Sequence, residues 1–256
     1  MRDVLAAWGP LTVVGPAGEG NRNVVLELRR GRQRLAARRS RRQAASLAWE
    51  IGLLDHLAGH GFRVPAVIPS LDGRRHIDGV VVQSWLDGSP PGPGDWPAVA
   101  AELRRLHRLT AGWQQRPGFA STRELLTADG GGDVDLTAMP AGAVAACRRA
   151  WALLDGVPEA VVHGDPGPSN IRVTEAGVGL LDWDEARVDC VDLDLAELPF
   201  ADLPPARLSA ARTAVTAWEA ASGWIVERSY ARRRLAMLHA RQRPRGSQEP
   251  RAGAAG

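Results

Sequence analysis

A chain of 256 residues has room for one large domain or two modest ones, and 45% apolar with 24% charged residues excludes a wholly disordered or collagen-like protein. The net charge of +3, from 32 basic and 29 acidic residues, leaves no electrostatic footprint for nucleic acid; every basic residue is arginine, which holds up the pI of about 9.6. Two cysteines, Cys147 and Cys190, cannot form a disulfide scaffold or a four-cysteine zinc site, so a reduced, cytoplasmic setting is expected.

Val4 to Gly18 carries no charge, but Gly9-Pro10 and Gly15-Pro16 break it, and it is shorter than the roughly 20 apolar residues of a membrane span. A soluble chain without a membrane partner is expected. Leu11–Val14 and Asn23–Leu28 read as short strands around a Gly-rich stretch, with a third strand at Gln33–Arg38. Gln43–His60 reads as a helix closed by Gly61, its apolar stripe formed by Leu47, Ile51, Leu54 and Leu57. Glu50 shares that side and calls for a cationic partner, because an unpaired buried carboxylate is expensive. Val80–Val82 continues into Gln83-Ser84-Trp85 as another strand.

Asp87 to Gly94 holds three glycines and three prolines and is the best interior candidate for a linker. Helices are predicted at Trp96–Leu109, Ala143–Leu154 and Pro205–Ala221, with a loop-rich stretch over 118–142 and a β-rich block at Val161–Leu181. Pro244–Gly256 is expected to fray. The plan is a β-rich lobe over 1–86, a linker over 87–95, a helical lobe over 96–243 and a tail over 244–256.

The chemistry concentrates between Val161 and Asp194. A polar turn, His163-Gly164-Asp165-Pro166-Gly167-Pro168-Ser169-Asn170, precedes a hairpin of Ile171–Thr174 and Val178–Leu181 that ends in Asp182-Trp183-Asp184. A hairpin returns Asp182 to the loop that holds Asp165 and Asn170. Hard oxygen donors converging there suit magnesium carrying a phosphate far better than zinc. An Asp, an Asn five positions later and an Asp one hairpin further on match the kinase template for phosphoryl transfer.

With Glu50, the Gly-rich stretch and the linker added, the sequence resembles the aminoglycoside phosphotransferase/choline kinase family over nearly its whole length, down to Asp194-Leu195-Ala196. The resemblance implies a two-lobed, protein-kinase-like α+β fold with a small β-rich lobe and a larger helical one. It implies transfer of the γ-phosphoryl group of ATP or GTP to a hydroxyl of a small molecule, with Mg2+. Asp165 matches the family's catalytic base, and Asn170 and Asp182 its magnesium ligands. Gly18, Gly20 and Asn21 match the phosphate-covering turn, and Gln83 and Trp85 fall in the hinge that meets the adenine edge. Glu50 matches the helix glutamate that pairs with a cation on the third strand. The family usually places lysine on that strand; here Arg38 stands in its place, longer, planar and able to pair bidentately.

Blander readings stand beside these. His163 reads as a loop anchor, His107 as a satisfied core histidine, the arginines from Arg38 to Arg42 as a solvated or phosphate-attracting patch, and the nine tryptophans as core anchors. Glu50 as a surface residue pairing with nearby arginines is the alternative for that position. Asp184, Glu185 and Asp189 either attract a cationic acceptor, such as an aminoglycoside or amino alcohol, or cap helices and pair with Arg187. A two-metal phosphatase lacks its ligands, and Ser169 lacks a nucleophile elbow. The competing functions are a metabolite kinase of the choline or homoserine type and a nucleotide-binding protein without catalysis.

Overall fold

The computed structural model describes residues 1–17 and 24–242. After a short helix α1 (Arg2–Leu5), strands β1 (Thr12–Pro16), β2 (Val24–Arg30) and β3 (Gln33–Arg39) form an antiparallel meander. Helix α2 (Ala44–Gly59) follows, then β4 (Val67–Ile68) and β5 (Val80–Ser84), giving a five-stranded sheet in the order β1-β2-β3-β5-β4. The pleat sorts the side chains of β3 by alternation. Leu35 and Ala37 enter an outer core with Trp8, Val80 and Val82, while Ala36 and Arg38 face the opposite side. Helix α2 closes where Gly61 and Phe62 donate back to Ala58 and Leu57.

The Pro/Gly segment joining β5 to helix α3 (Trp96–Leu109) is pinned rather than free. Ser89 exchanges two backbone hydrogen bonds with Val173 (3.2 and 2.8 Å), and Gly88 sits at φ +131°, where an added Cβ would lie 2.8 Å from the Val173 carbonyl. Beyond α3 come a small hairpin, β6 (Gly130–Gly131) and β7 (Val134–Asp135), and helix α4 (Ala141–Trp151). Strand β8 (Glu159–Val162), hairpin β9 (Ile171–Thr174) and β10 (Gly177–Leu180), and β11 (Arg187–Cys190), which pairs with β8, lead to helices α5 (Asp192–Ala196), α6 (Pro205–Ser222) and α7 (Arg228–Gln242).

Among the described residues, three apolar cores result. The C-terminal one gathers α4, α6 and α7 around Trp151, Trp218 and Trp224. The middle one joins α2 (Leu47, Leu54) to α3 (Leu103, Leu106) and to the hairpin (Ile171, Leu180), so a single apolar contact surface sets the sheet's helix against the loop of the motif. Eight of the nine tryptophans lie in or against these cores, and Trp85 does not. Among the described residues, no helix is long and apolar enough to cross a membrane.

Sequence reasoning placed α2, α3, α6 and the hairpin within about two residues. It passed over β11, α5 and α7. Helix α7 carries Arg228, Arg232, Arg233, Arg234 and Arg241 and buries only Ala231 and Leu238, so its apolar stripe is too thin to register as a period. Helix α4 begins at Ala141, two residues before the predicted start, and its predicted final turn is a 3-10 turn over Ala152–Leu154.

Candidate active site

A cavity of about 680 Å³ opens between the sheet and the helices. Val25, Ala36 and Gln83 line it from the sheet, Leu181 from the hairpin, and Trp85 and Leu86 from the segment leaving β5. Trp85 also gives its backbone N–H to the Arg34 carbonyl (3.2 Å), and its ring packs 4.0 Å from the Arg34 guanidinium carbon. Gly18, Gly20 and Asn21 lie outside the described residues.

Asp165, which is exposed, and Asn170 meet at the cavity. The Asn170 side-chain amide donates to the Asp165 carbonyl (3.0 Å) and carboxylate (2.9 Å), and its amide oxygen accepts no hydrogen bond from a described residue. The register of β9 and β10 pairs Ile171 with Leu180, and Leu181 N–H donates to Asn170 O (2.8 Å), so Asp182 comes next to Asn170. Asp182 is one of two non-glycine residues with a left-handed backbone (φ 56°) among the described residues, a conformation that aspartate tolerates better than most. Its carboxylate accepts no hydrogen bond from a described residue. Burial raises its pKa, against the pull of Arg38 and with the push of Asp184. A partly buried, unbonded carboxylate beside an amide oxygen is a donor set that fits a hard divalent cation such as magnesium.

The loop itself is fastened from behind. Asp194, 1% exposed, accepts from His163 N–H (2.8 Å), Gly164 N–H (2.9 Å) and His107 Nε2 (3.0 Å). Burial raises the Asp194 pKa; the His107 hydrogen bond and charge, His163 and the Gly164 N–H outweigh it, and the net shift is downward. His163 donates Nε2–H to Leu181 O (2.7 Å), and its Nδ1 lies 3.4 Å from the Asp165 N–H, so the ring bridges the loop and the hairpin end. His107 and His163 are both spent on structure, as the sequence suggested. Gly164 has φ +87°, and an added Cβ would stand 2.7 Å from the Glu185 carbonyl.

Arg38 reaches the cavity from β3. One terminal nitrogen pairs with Glu50 Oε1 and the other with Asp184 (3.1 Å). Burial depresses the Arg38 pKa, but Glu50, Asp184 and Asp182 more than restore it, and the net shift is upward. Glu50, 1% exposed, is thus no surface residue. Asp184 also accepts from Arg42 (2.9 Å), which in turn holds Asp133 (2.8 Å). Burial raises the Asp184 pKa, and Arg42 and Arg38 reverse it to a net fall. Of the two readings of Asp184 and Asp189, the contacts fit pairing with arginine and not an open, acceptor-attracting charge. Asp184 is tied to Arg38 and Arg42, and Asp189 to Arg187 (2.9 Å) and Thr122 (2.6 Å). Arg42 belongs to this internal network and not to a solvated face.

Three contributors gave no sequence signal. Arg116 and Asp133 come from loops far from any motif. Glu197 lines the helical end of the cavity, and its carboxylate accepts no hydrogen bond from a described residue. Desolvation raises its pKa; Arg234 opposes the rise and the nearby Asp165 charge adds to it. Glu219, in the same wall, is already engaged by Tyr230 and Arg234.

A sheet-bearing lobe over a helical lobe, with the Asp165–Asn170 loop and Asp182 facing a sheet-strand cation across the cleft, defines a two-lobed, protein-kinase-like α+β fold. The chain belongs to the phosphotransferase enzyme family, whose APH model matches residues 13–237. It is 32% identical over 197 residues to a homoserine kinase of Hyphomonas neptunium, a match covering 70% of this chain and 59% of that protein. The chain spans about three fifths of the length of the curated homoserine kinases it matches. The fold is shared with choline kinase LicA of Streptococcus pneumoniae (TM-score 0.64, 12% identity, covering 94% of this chain and 96% of that one). It is shared equally with aminoglycoside phosphotransferase APH(4)-Ia in a ternary complex with ADP and hygromycin B (TM-score 0.63, 13% identity, 95% and 98% covered).

Proposed function

We propose that this protein transfers the γ-phosphoryl group of ATP, or of GTP, to a hydroxyl of a small amino alcohol. The observation that carries the reading is the convergence of Asp165, Asn170 and Asp182 on one cavity that Val25, Ala36 and Leu181 also line. The base would lie between Ala36 and Val25 above and Leu181 below, with its edge toward Gln83–Leu86. Magnesium, held by the Asn170 amide oxygen and the Asp182 carboxylate, would supply charge neutralisation to the triphosphate.

Arg38 adds a second positive centre for phosphate oxygens, oriented by Glu50 and Asp184. Asp165, steadied by Asn170 and by the Asp194-fastened backbone of His163 and Gly164, accepts the proton of the acceptor hydroxyl as its oxygen attacks phosphorus. Positioning and electrostatics supply most of the rate. Lobe division near residues 87–95 fits this use of the cleft.

Glu197, an exposed carboxylate that lines the same cavity as Asp165, supports an acceptor bearing an ammonium group. The curated relatives are homoserine kinases, and homoserine is an amino acid that carries an ammonium group besides its hydroxyl, which favours a metabolite kinase over an antibiotic-modifying one. Incubation with MgATP or MgGTP and, separately, homoserine, ethanolamine, choline and an aminoglycoside, followed by mass spectrometry, tests the reading. A phosphorylated amino alcohol is the expected product. Phosphorylation of the aminoglycoside alone would reassign the acceptor, and no acceptor-dependent nucleotide turnover would refute the activity.

A further inference from the structure

Arg116 lies on the loop after α3, is 0% exposed, and belongs to none of the motifs above. Its guanidinium donates to Ser46 Oγ (2.8 Å), to Glu50 Oε2 (2.7 Å) and to the carbonyls of Trp183, Asp184 and Ala186 (3.0, 3.1 and 3.1 Å). One side chain therefore ties one turn of α2 to the turn that follows Asp182. Glu50 is divided by it: Oε1 goes to Arg38 and Oε2 to Arg116.

This division matters because Arg38 is an arginine. A lysine can give a glutamate only a point contact, but a guanidinium and a carboxylate pair fork to fork through two parallel hydrogen bonds when both oxygens are free. If Oε2 of Glu50 were unclaimed, the preferred pairing would turn both terminal nitrogens of Arg38 onto Glu50. Arg38 would leave Asp184 and the phosphate side of the cavity. With Oε2 occupied, Arg38 meets Glu50 through one nitrogen and Asp184 through the other.

We infer that Arg116 is a positioning residue that guards Arg38 against bidentate capture by Glu50, and that it is what lets arginine stand on the third strand of this phosphate site. The inference rests on the nucleotide-binding reading above and adds a residue and a reason to it.

A double-mutant cycle tests it, with the affinity for MgATP read by calorimetry and folding by thermal midpoint. In the parent, Arg116→Gln is expected to weaken MgATP binding by about tenfold or more, the scale of one charge-assisted hydrogen bond. In the Arg38→Lys background, where no fork can form, the same change is expected to cost about threefold or less. An equal loss in both backgrounds would make Arg116 a merely structural residue and overturn the inference. Should Arg116→Gln fail to fold, Arg116→Lys decides, because an ammonium still occupies Oε2. Affinity within about threefold of the parent is then expected, and a folded Arg116→Lys variant that has lost about tenfold overturns the inference. If the unmodified protein binds no MgATP while folded, the nucleotide-binding reading fails and takes this inference with it.

Discussion

Asp194→Asn changes no volume but replaces two acceptor oxygens by one acceptor and one donor. Three donors converge on this carboxylate: His163 N–H and His107 Nε2 on one oxygen, Gly164 N–H on the other. With the amide oxygen retained toward His163 and His107, the new amino group confronts the Gly164 N–H inside a site that water does not reach. A hydrogen bond to a charged acceptor is worth about 1.5–3 kcal/mol, and a buried unsatisfied donor costs about 1–3 kcal/mol, so a loss near 3 kcal/mol is reasonable. Unfolding entropy of about 2.1 cal/mol/K per residue gives about 0.5 kcal/mol/K for this chain, and the midpoint should fall by about 6 °C in scanning calorimetry. Turnover should fall by on the order of 100-fold, because Gly164 carries Asp165 and a displacement of about 1 Å has that consequence.

The pH dependence has a definite sign. The folded pKa of Asp194 lies below its unfolded value, so its contribution is fully present above about pH 4 and is lost as pH falls through the folded value. The gap between parent and variant should therefore stay constant from about pH 7 to about pH 5 and narrow only in stronger acid. A variant that melts within about 1 °C of the parent, or a gap that already closes by about pH 5, would refute the assignment of Asp194 as the ionised anchor of the loop.

Other perturbations separate the remaining roles. Gly164→Ala places a Cβ 2.7 Å from the Glu185 carbonyl at φ +87° and should cost about 1–3 kcal/mol of stability, measurable as a lower denaturation midpoint. Asp165→Ala should lower turnover by about 10²–10⁴-fold while the dissociation constant for MgATP stays at the parent value in calorimetry. Glu197→Gln should raise KM for an amine-bearing acceptor by about tenfold and leave KM for a neutral alcohol of the same length unchanged in steady-state kinetics.

How much of this was legible beforehand depends on the distance over which each contact is made. Asp165, Asn170 and Asp182 are joined by one loop and one hairpin, so their spacing in sequence already implied their proximity. Glu50 could be singled out because a charge within the stripe of Leu47, Ile51 and Leu54 needs a partner, and the family resemblance set Arg38 in the matching place on the third strand. Arg116, 66 residues from Glu50, and Asp133, 91 residues from Arg42, meet their partners only through the packing of α2 and the segments that follow α3. In a chain with arginine at every basic position, nothing local marks which guanidinium is buried. Asp184 stayed open between two readings for the same reason: nothing local chose between a ligand-facing carboxylate and one held by Arg38 and Arg42. Helix α7 was hidden by composition, since its buried residues Ala231 and Leu238 are seven apart and surrounded by arginines.

The most direct measurement is thermal stabilisation by ATP and by GTP, each with magnesium and with EDTA, on the parent and on Asp182→Ala. A nucleotide at about 100 times its dissociation constant adds about 2.7 kcal/mol, a rise of about 5 °C for a chain of this length. A magnesium-dependent rise in the parent that disappears in Asp182→Ala is the expected result. Stabilisation that survives EDTA, or that Asp182→Ala retains in full, would contradict a metal-assisted nucleotide site at Asn170 and Asp182.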